Sequence, residues 1–186
     1  MIDKFQSIFI IPELRKRILF TVGVLIIVRI GVHIPIPGVD GEALAGAFTN
    51  LQNSLFGLFN TFVGGAFQKA SLFSLGIMPY ISSSIIIQLM GSVIPYFQRL
   101  QKEGEAGRKK ITQITRYGTV MLASMQSYGV VAVFLPSLTA NGQPVVVNPG
   151  FMFTFTGIIS MVTGTLFLMW LGERITERGI GNGISL

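Results

Sequence analysis

Long apolar stretches alternate with shorter polar connections along most of this chain. Four of them approach the length of about 20 residues that a membrane-spanning helix needs. The stretches cover about residues 18–36, 72–97, 117–135 and 151–171, and a fifth begins near residue 182. This pattern predicts an all-α fold, a polytopic membrane helix bundle.

The composition favours a membrane protein over a soluble one. Half of the 186 residues are hydrophobic and 12% are charged, whereas soluble domains carry about 25% charged residues. Intrinsic disorder is excluded because it needs low hydrophobicity and high net charge. The chain has no cysteine, which excludes disulfides, thiolate metal sites and thiol nucleophiles.

Lysine and arginine residues are concentrated in alternate connections. Six of them lie over residues 98–116, and four precede the first apolar stretch. In contrast, residues 38–71 contain one lysine and residues 136–150 contain no charge. By the positive-inside rule, the N-terminus and the 98–116 loop are predicted to be cytoplasmic, and the other two connections face outward.

The first apolar stretch follows three basic residues, as the core of a secretory signal peptide also would. An uncleaved span is favoured, because the nearest small-residue cleavage site lies well downstream, at about residues 44–47. Arg29 interrupts the stretch. Its side chain either reaches outward to the headgroups or faces the interior of the bundle.

A short apolar helix is predicted at about residues 50–64, inside an outward-facing connection. Asn50 would cap it, and the apolar residues on one face are Leu51, Leu55, Leu58, Phe59 and Phe62. At about 1.5 Å per residue it is too short to span a bilayer. It either lies flat in the outer interface or is re-entrant and packs inside the bundle. The absence of Lys and Arg from its polar face favours the re-entrant form.

The second apolar stretch contains a proline and a row of isoleucines. Pro79 is predicted to kink its helix, because proline removes a backbone hydrogen-bond donor. Ile77, Ile81 and Ile85 share one helical face. By itself such a row indicates ordinary packing against the protein core or lipid.

The basic 98–116 loop has two interpretations. Its charge holds it on the cytoplasmic side near anionic lipids, or it docks an acidic partner such as a ribosome. Gly104 and Gly107 predict a tight turn in its middle.

No motif for catalysis, metal binding or nucleotide binding is found. The chain lacks G-x-x-x-x-G-K-[ST], H-E-x-x-H and G-x-S-x-G motifs, and its carboxylates lie outside the apolar stretches. We therefore expect no enzymatic activity, no cofactor and no metal. A channel, a secondary transporter with broken helices and a non-channel assembly factor remain as function classes.

Several long, irregular runs resemble the SecY family, whose bacterial members form the pore subunit of the Sec protein-translocation channel. The runs are FNTFVGGA (59–66), GIMPYIS (76–82), KEGEAGRKK (102–110), RYGT (116–119), NPGF (148–151), LMWLGE (168–173) and ITERGIGNGIS (175–185). The resemblance extends from about Leu14 onward. SecY proteins have ten spans in two pseudo-symmetric halves, so the resemblance implies that residues 1–186 form the N-terminal half of this fold.

The resemblance implies roles for the apolar features. The helix at 50–64 matches the plug, a short helix that closes the family's channel from outside. Ile77, Ile81 and Ile184 match the pore ring, a constriction of branched apolar side chains that resists water and ions. Ser82 and Gln126 match polar positions of the lateral gate, through which apolar segments enter the lipid.

The resemblance also implies partners and a location in the bacterial cytoplasmic (inner) membrane. The partners are the SecE and SecG subunits, the SecA motor, the ribosome, signal sequences, unfolded preproteins and the lipid bilayer. Arg108, Lys109 and Lys110 are expected to be secondary cytoplasmic contacts. The motor hydrolyses ATP in this family, so no direct nucleotide site is expected. The implied activity is passage of unfolded secretory proteins across the membrane and of membrane proteins laterally into it.

Overall fold

Helices dominate the fold, as the apolar stretches predict. The computed structural model describes residues 11–51, 54–140 and 142–184. The elements are α1 (Pro12–Gly31), α2 (Gly41–Leu51), α3 (Leu55–Phe62), α4 (Met78–Val93), α5 (Pro95–Lys102), α6 (Glu105–Tyr128), a π-helical turn (Gly129–Phe134), α7 (Leu135–Ser137), β1 (Thr139–Ala140), β2 (Gln143–Pro144) and α8 (Phe151–Arg178). The two short strands pair as an antiparallel hairpin.

The centre of the bundle forms where α6 packs against both α4 and α8. The buried face of α6 carries small residues at every fourth position, namely Thr115, Thr119, Ala123 and Ser127. Small side chains let helix backbones approach closely, as is common between membrane helices. The hydroxyls are satisfied within the helix, since Thr119 Oγ1 donates to the Thr115 carbonyl at 2.8 Å.

The largest apolar core lies at the end of the bundle that is predicted to face outward. Leu44 and Phe48 of α2 pack there with Phe67, Leu135 and Val145, all of them buried. This core joins α2, the turns after α3, the outer end of α6 and the hairpin. It therefore holds the 38–71 and 136–150 connections as a packed layer over the helix ends.

Two helices occupy the 38–71 connection, where one was predicted. Asn50 lies inside α2 rather than capping the next helix. The true cap is Asp40, whose Oδ1 accepts hydrogen bonds from the backbone N–H groups of Glu42 and Ala43 at 2.9 and 3.2 Å. An aspartate before an apolar run is a recognised signal for the start of a helix. The sequence therefore contained the information needed to predict α2.

The second apolar stretch does not form one kinked helix. Residues 63–77 form turns, and Pro79 lies in the first turn of α4, where its missing N–H would have had no helical partner. The predicted kink at Pro79 is therefore wrong. The bend lies at Pro95 instead, where α4 and α5 meet at 99°.

The basic connection is largely helical. Its tight turn includes Gly104, which has a φ of 66°, as predicted. The prediction is wrong for Gly107, which is buried inside α6. A Cβ on Gly107 would overlap the backbone carbonyl of Leu100 in α5, so this glycine allows the two helices to approach.

By length and composition, two helical runs of the described chain could cross a membrane. They are Glu105–Ser137, with 33 residues, and α8, with 28 residues. The α4–α5 pair makes a third if it is read as one bent span. The stretch predicted at about 18–36 differs from α1, because α1 ends at Gly31 and takes in the basic residues at its start.

An ion pair links α6 to α8. Arg116 donates from Nε and Nη2 to the two carboxylate oxygens of Glu173 at 3.0 and 2.7 Å. The fork geometry and the partly buried carboxylate distinguish it from the exposed Lys110–Glu103 pair, whose atoms are 3.7 Å apart. Two-pronged arginine pairs are stronger than single exposed contacts.

Arg116→Gln is expected to lower the free energy of unfolding by about 1–2 kcal/mol, because Glu173 keeps its charge and loses its partner. The matched change Lys110→Gln is expected to cost less than about 0.5 kcal/mol. Thermal unfolding of the purified protein in detergent measures both. Equal, small shifts for the two variants would contradict the expectation.

Candidate functional site

An apolar cavity of about 320 Å³ lies among α1, the turns after α3, the start of α4 and α8. Ile77 and Ile184 both line it, so the structure brings together two of the three predicted pore-ring residues. Among the described residues that line this cavity, Arg29 is the one with a charge. A passage walled by branched apolar side chains disfavours water and ions.

Two threonine hydroxyls accept hydrogen bonds from the turns that carry Ile184 and hold them in place. The Ile180 N–H donates to Thr21 Oγ1 at 3.1 Å, and the Gly183 N–H donates to Thr176 Oγ1 at 3.0 Å. Residues 182–184 are not helical. The fifth span predicted from about residue 182 therefore does not begin at residues 182–184, and a later start lies outside the described part of the chain.

Ile81 is placed differently from the other two pore-ring residues. It lies one turn into α4, and its N–H donates to the Ile77 carbonyl at 3.1 Å. Its side chain is partly buried, but it does not line the cavity that Ile77 and Ile184 share. The pore-ring role of Ile81 stays a prediction.

A second cavity, of about 680 Å³, separates α3 from α4 and α6. Ser82 of α4 and Gln126 of α6 both line it, together with Leu55 and Phe59 of α3. The structure therefore brings the two predicted lateral-gate residues to one groove, beside the predicted plug. The groove is mainly apolar and offers few polar groups to an occupant.

The helix α3 exposes most of its predicted apolar stripe. Leu55, Leu58 and Phe62 are 82%, 61% and 83% exposed. Phe59 instead packs edge-on against Phe67, with the ring centroids 5.2 Å apart. An exposed apolar face of this kind needs lipid or another protein surface to cover it.

Two further residues, Phe56 and Leu51, are compared with the predicted plug. Phe56 was not singled out in the sequence, yet it stacks on Phe134 at 4.5 Å between ring centroids. Its spacing of three residues from Phe59 was the signal for this docking face. Leu51 ends α2, and its side chain lies outside the described residues.

The C-terminal end of α3 is fastened by side chains. The Gln68 N–H donates to Asn60 Oδ1 at 2.9 Å, and Asn60 Nδ2 donates to Gln68 Oε1 at 3.3 Å. From α1, Arg29 Nη1 donates to the Gly64 carbonyl at 3.3 Å. Arg29 therefore faces the interior cavity, which was one of the two orientations left open by the sequence.

The basic residues Arg108, Lys109 and Lys110 lie exposed in the first turns of α6. Lys110 contributes to the ion pair with Glu103. Their role as a partner contact stays a prediction. In the part of the chain that the structure describes, no group of three His, Asp or Glu side chains could hold a metal ion.

Comparison with known proteins identifies one family. The SecY family model matches residues 71–186. The chain is 57% identical over 174 residues to protein translocase subunit SecY of Buchnera aphidicola subsp. Acyrthosiphon kondoi, covering 94% of this chain and 48% of the relative. It is 56% identical over 174 residues to the subunit of Escherichia coli K12, covering 94% and 39%. The chain thus spans less than half the length of these relatives.

Solved structures share the fold. Sec61 in a canine ribosome–channel complex from the endoplasmic reticulum matches with a TM-score of 0.66 at 18% identity, covering 92% of this chain and 35% of that one. A structure described as a protein-conducting channel matches with a TM-score of 0.66 at 18% identity, covering 92% and 34%. The bacterial SecY relatives and the apolar helices together make the chain a multi-pass membrane protein.

Proposed function

Because the chain belongs to the SecY family, we propose that it forms the N-terminal half of a protein-conducting channel subunit. The channel passes unfolded secretory proteins across the bacterial cytoplasmic membrane and releases membrane proteins sideways into the lipid. The observation that carries this proposal is the apolar cavity that Ile77 and Ile184 share. These two residues come from opposite ends of the family-matched segment and line the same cavity.

The cavity supports a seal that does not discriminate among substrate sequences. Apart from Arg29, its described lining offers apolar side chains and glycines, and such contacts carry no hydrogen-bond readout of a passing peptide. Phe62 and Gly64, at the end of α3, also line it. Displacement of α3 as the plug would therefore open this cavity from one side.

The groove between α3 and the α4–α6 pair supports a lateral gate. An apolar helix placed there would contact Ser82 and Gln126 together with the plug face of Leu55 and Phe59. Such a helix would bind through its apolar face, as amphipathic and apolar helices bind grooves generally. Entry of a signal sequence would therefore disturb the plug and the gate together.

The remaining assignments are proposed from the family. The N-terminus and the α5–α6 connection lie in the cytoplasm, where Arg108, Lys109 and Lys110 contact the ribosome or the SecA motor. SecE and SecG complete the channel. The chain itself has no catalytic role and no nucleotide site, because the motor supplies the energy of ATP.

Photo-crosslinking to a stalled secretory chain tests the pore assignment. A photo-reactive residue placed at position 77 or 184 of a full-length channel containing this chain is expected to crosslink to the stalled polypeptide. The control is position 86, which lies on the opposite side of α4 and is 47% exposed. A further probe at position 81 decides whether Ile81 joins the same path.

The pattern of crosslinks decides the outcome. Capture of the secretory chain at 77 and 184, with lipid captured at 86, supports the conduction path. If all of these positions captured only lipid or neighbouring helices, the isoleucines would be ordinary packing residues and the pore assignment would be wrong.

A further inference from the structure

A charged side chain projects into the otherwise apolar cavity at the end of α3. Arg29 lies in the last turn of α1, and its Nη1 donates to the carbonyl of Gly64, 35 residues away in the chain. Gly64 belongs to the turn that follows α3, with a φ of 63°. The guanidinium thus joins α1 to the plug segment across the cavity.

The backbone around Gly64 explains why its carbonyl is available. In the last turn of α3, the carbonyls of Phe59, Asn60 and Thr61 accept hydrogen bonds from the N–H groups of residues 63, 65 and 64, respectively. The Gly64 carbonyl lies just beyond these and points toward α1. A cation is also favoured near this end of a helix, where the helix dipole is negative.

Other side-chain hydrogen bonds of this segment join parts of the chain that are close in sequence. The Asn60–Gln68 hydrogen bonds join α3 to the turns that follow it. They stabilise the local shape of the segment but do not connect it to α1. Arg29 joins α1 to the turn at the end of α3, beside the packing of Val63 against the cluster of Val32, Ala66 and Phe73, whereas Ser71 Oγ joins Gly31 of α1 to the later turns.

We propose that Arg29 is a positioning residue that holds the C-terminal end of the plug against α1, so that this hydrogen bond must be released before the plug moves. The proposal rests on the proposed function, because it takes α3 as the plug. Arginine suits the role because its long side chain carries several donors and stays charged at all physiological pH values. A lysine has a single compact charge and would hold the carbonyl less well.

We call the hydrogen bond from Arg29 to the Gly64 carbonyl the latch. Hydrogen–deuterium exchange of the plug segment tests the latch without requiring protein transport. In a full-length channel containing this chain, Arg29→Met is expected to speed exchange of the amides of residues 63–65 by about tenfold, since a hydrogen bond from a charged donor is lost. The matched control is Arg17→Met, the same change on α1 at a residue that pairs with Glu13 instead. Arg29→Lys is expected to give a smaller increase.

Ion leak through membranes that contain the same variants tests separately whether the plug seals the channel. Faster exchange together with greater leak for Arg29→Met, and neither for Arg17→Met, supports both proposals. Faster exchange without leak supports the latch and contradicts the sealing role of the plug. Unchanged exchange in Arg29→Met, or an equal rise in both methionine variants, overturns the latch.

Discussion

Gly164→Ala is expected to lower the free energy of unfolding by roughly 3 kcal/mol or more, and to leave little folded protein. A Cβ on this residue of α8 would overlap the backbone carbonyl of Leu72. A backbone carbonyl cannot rotate away as the end of a side chain can, so α8 would have to shift from the turns at 63–77. That shift would also move Leu168 and Gly172, which line the apolar cavity together with Ile77 and Ile184.

The same substitution at Gly23 is the matched control. Gly23 lies within α1, and a Cβ there would meet no atom within 4 Å. Because alanine favours a helix over glycine by about 1 kcal/mol, Gly23→Ala is expected to be neutral or stabilising. Thermal unfolding in detergent, together with the yield of monodisperse protein, compares the two. A native melting temperature for Gly164→Ala would contradict the close approach of α8.

Phe67→Ala is expected to cost about 3–5 kcal/mol of stability, as removal of a buried phenylalanine does elsewhere. Phe67 is 5% exposed, and its ring centroid lies 5.5 Å from that of Phe48 and 5.2 Å from that of Phe59. It also lies beside Phe56 and Phe134. The Phe67 ring therefore packs both in the apolar core that contains Leu44 and Phe48 and against the face of α3 that carries Phe56 and Phe59.

Two measurements check the effect of removing this ring. Thermal unfolding is expected to show a large loss for Phe67→Ala and a change within about 1 kcal/mol for Phe151→Ala, whose ring is 82% exposed. Hydrogen–deuterium exchange is expected to rise first in α3, because Phe59 and Phe56 lose their support. Exchange in α3 that stays at the native rate would show that other contacts hold this helix.

Hydropathy predicted the long helices but not the path of the chain between them. The runs in α6 and α8 are long and apolar, and each has charged residues at one end, so their type was well determined. Residues 72–77 are equally apolar but form buried turns. This segment is fixed by a bond to a distant part of the chain, since the Leu72 N–H donates to the Ile34 carbonyl at 3.0 Å. A local apolar pattern cannot distinguish such a turn from a helix.

For the candidate site as well, the sequence identified individual residues but not which of them lie together in the folded chain. The family resemblance picked out Ile77 and Ile184, and their meeting depends on how α4 and α8 pack. Ile81 shares the face of Ile77 but not its cavity. The direction of Arg29 could not be predicted, because the hydropathy of α1 does not mark the face that the structure buries, which carries Thr21, Val24 and Gly31.

The long-range hydrogen bonds of α1 have a consequence for the order in which the chain assembles. Thr21 is bonded to the backbone of Ile180, 159 residues later, and just beyond α1 the Gly38 carbonyl accepts from the Val147 N–H at 3.3 Å. At about 5–20 residues per second of synthesis, roughly 8–30 s separate Thr21 from its partner. During that interval α1 is already made but its bond to Ile180 cannot form, and the bond between Gly38 and Val147 cannot form until Val147 has been made. A nascent α1 must therefore wait in the membrane with the surface that contacts α8 uncovered until α8 and the turn after it have been made.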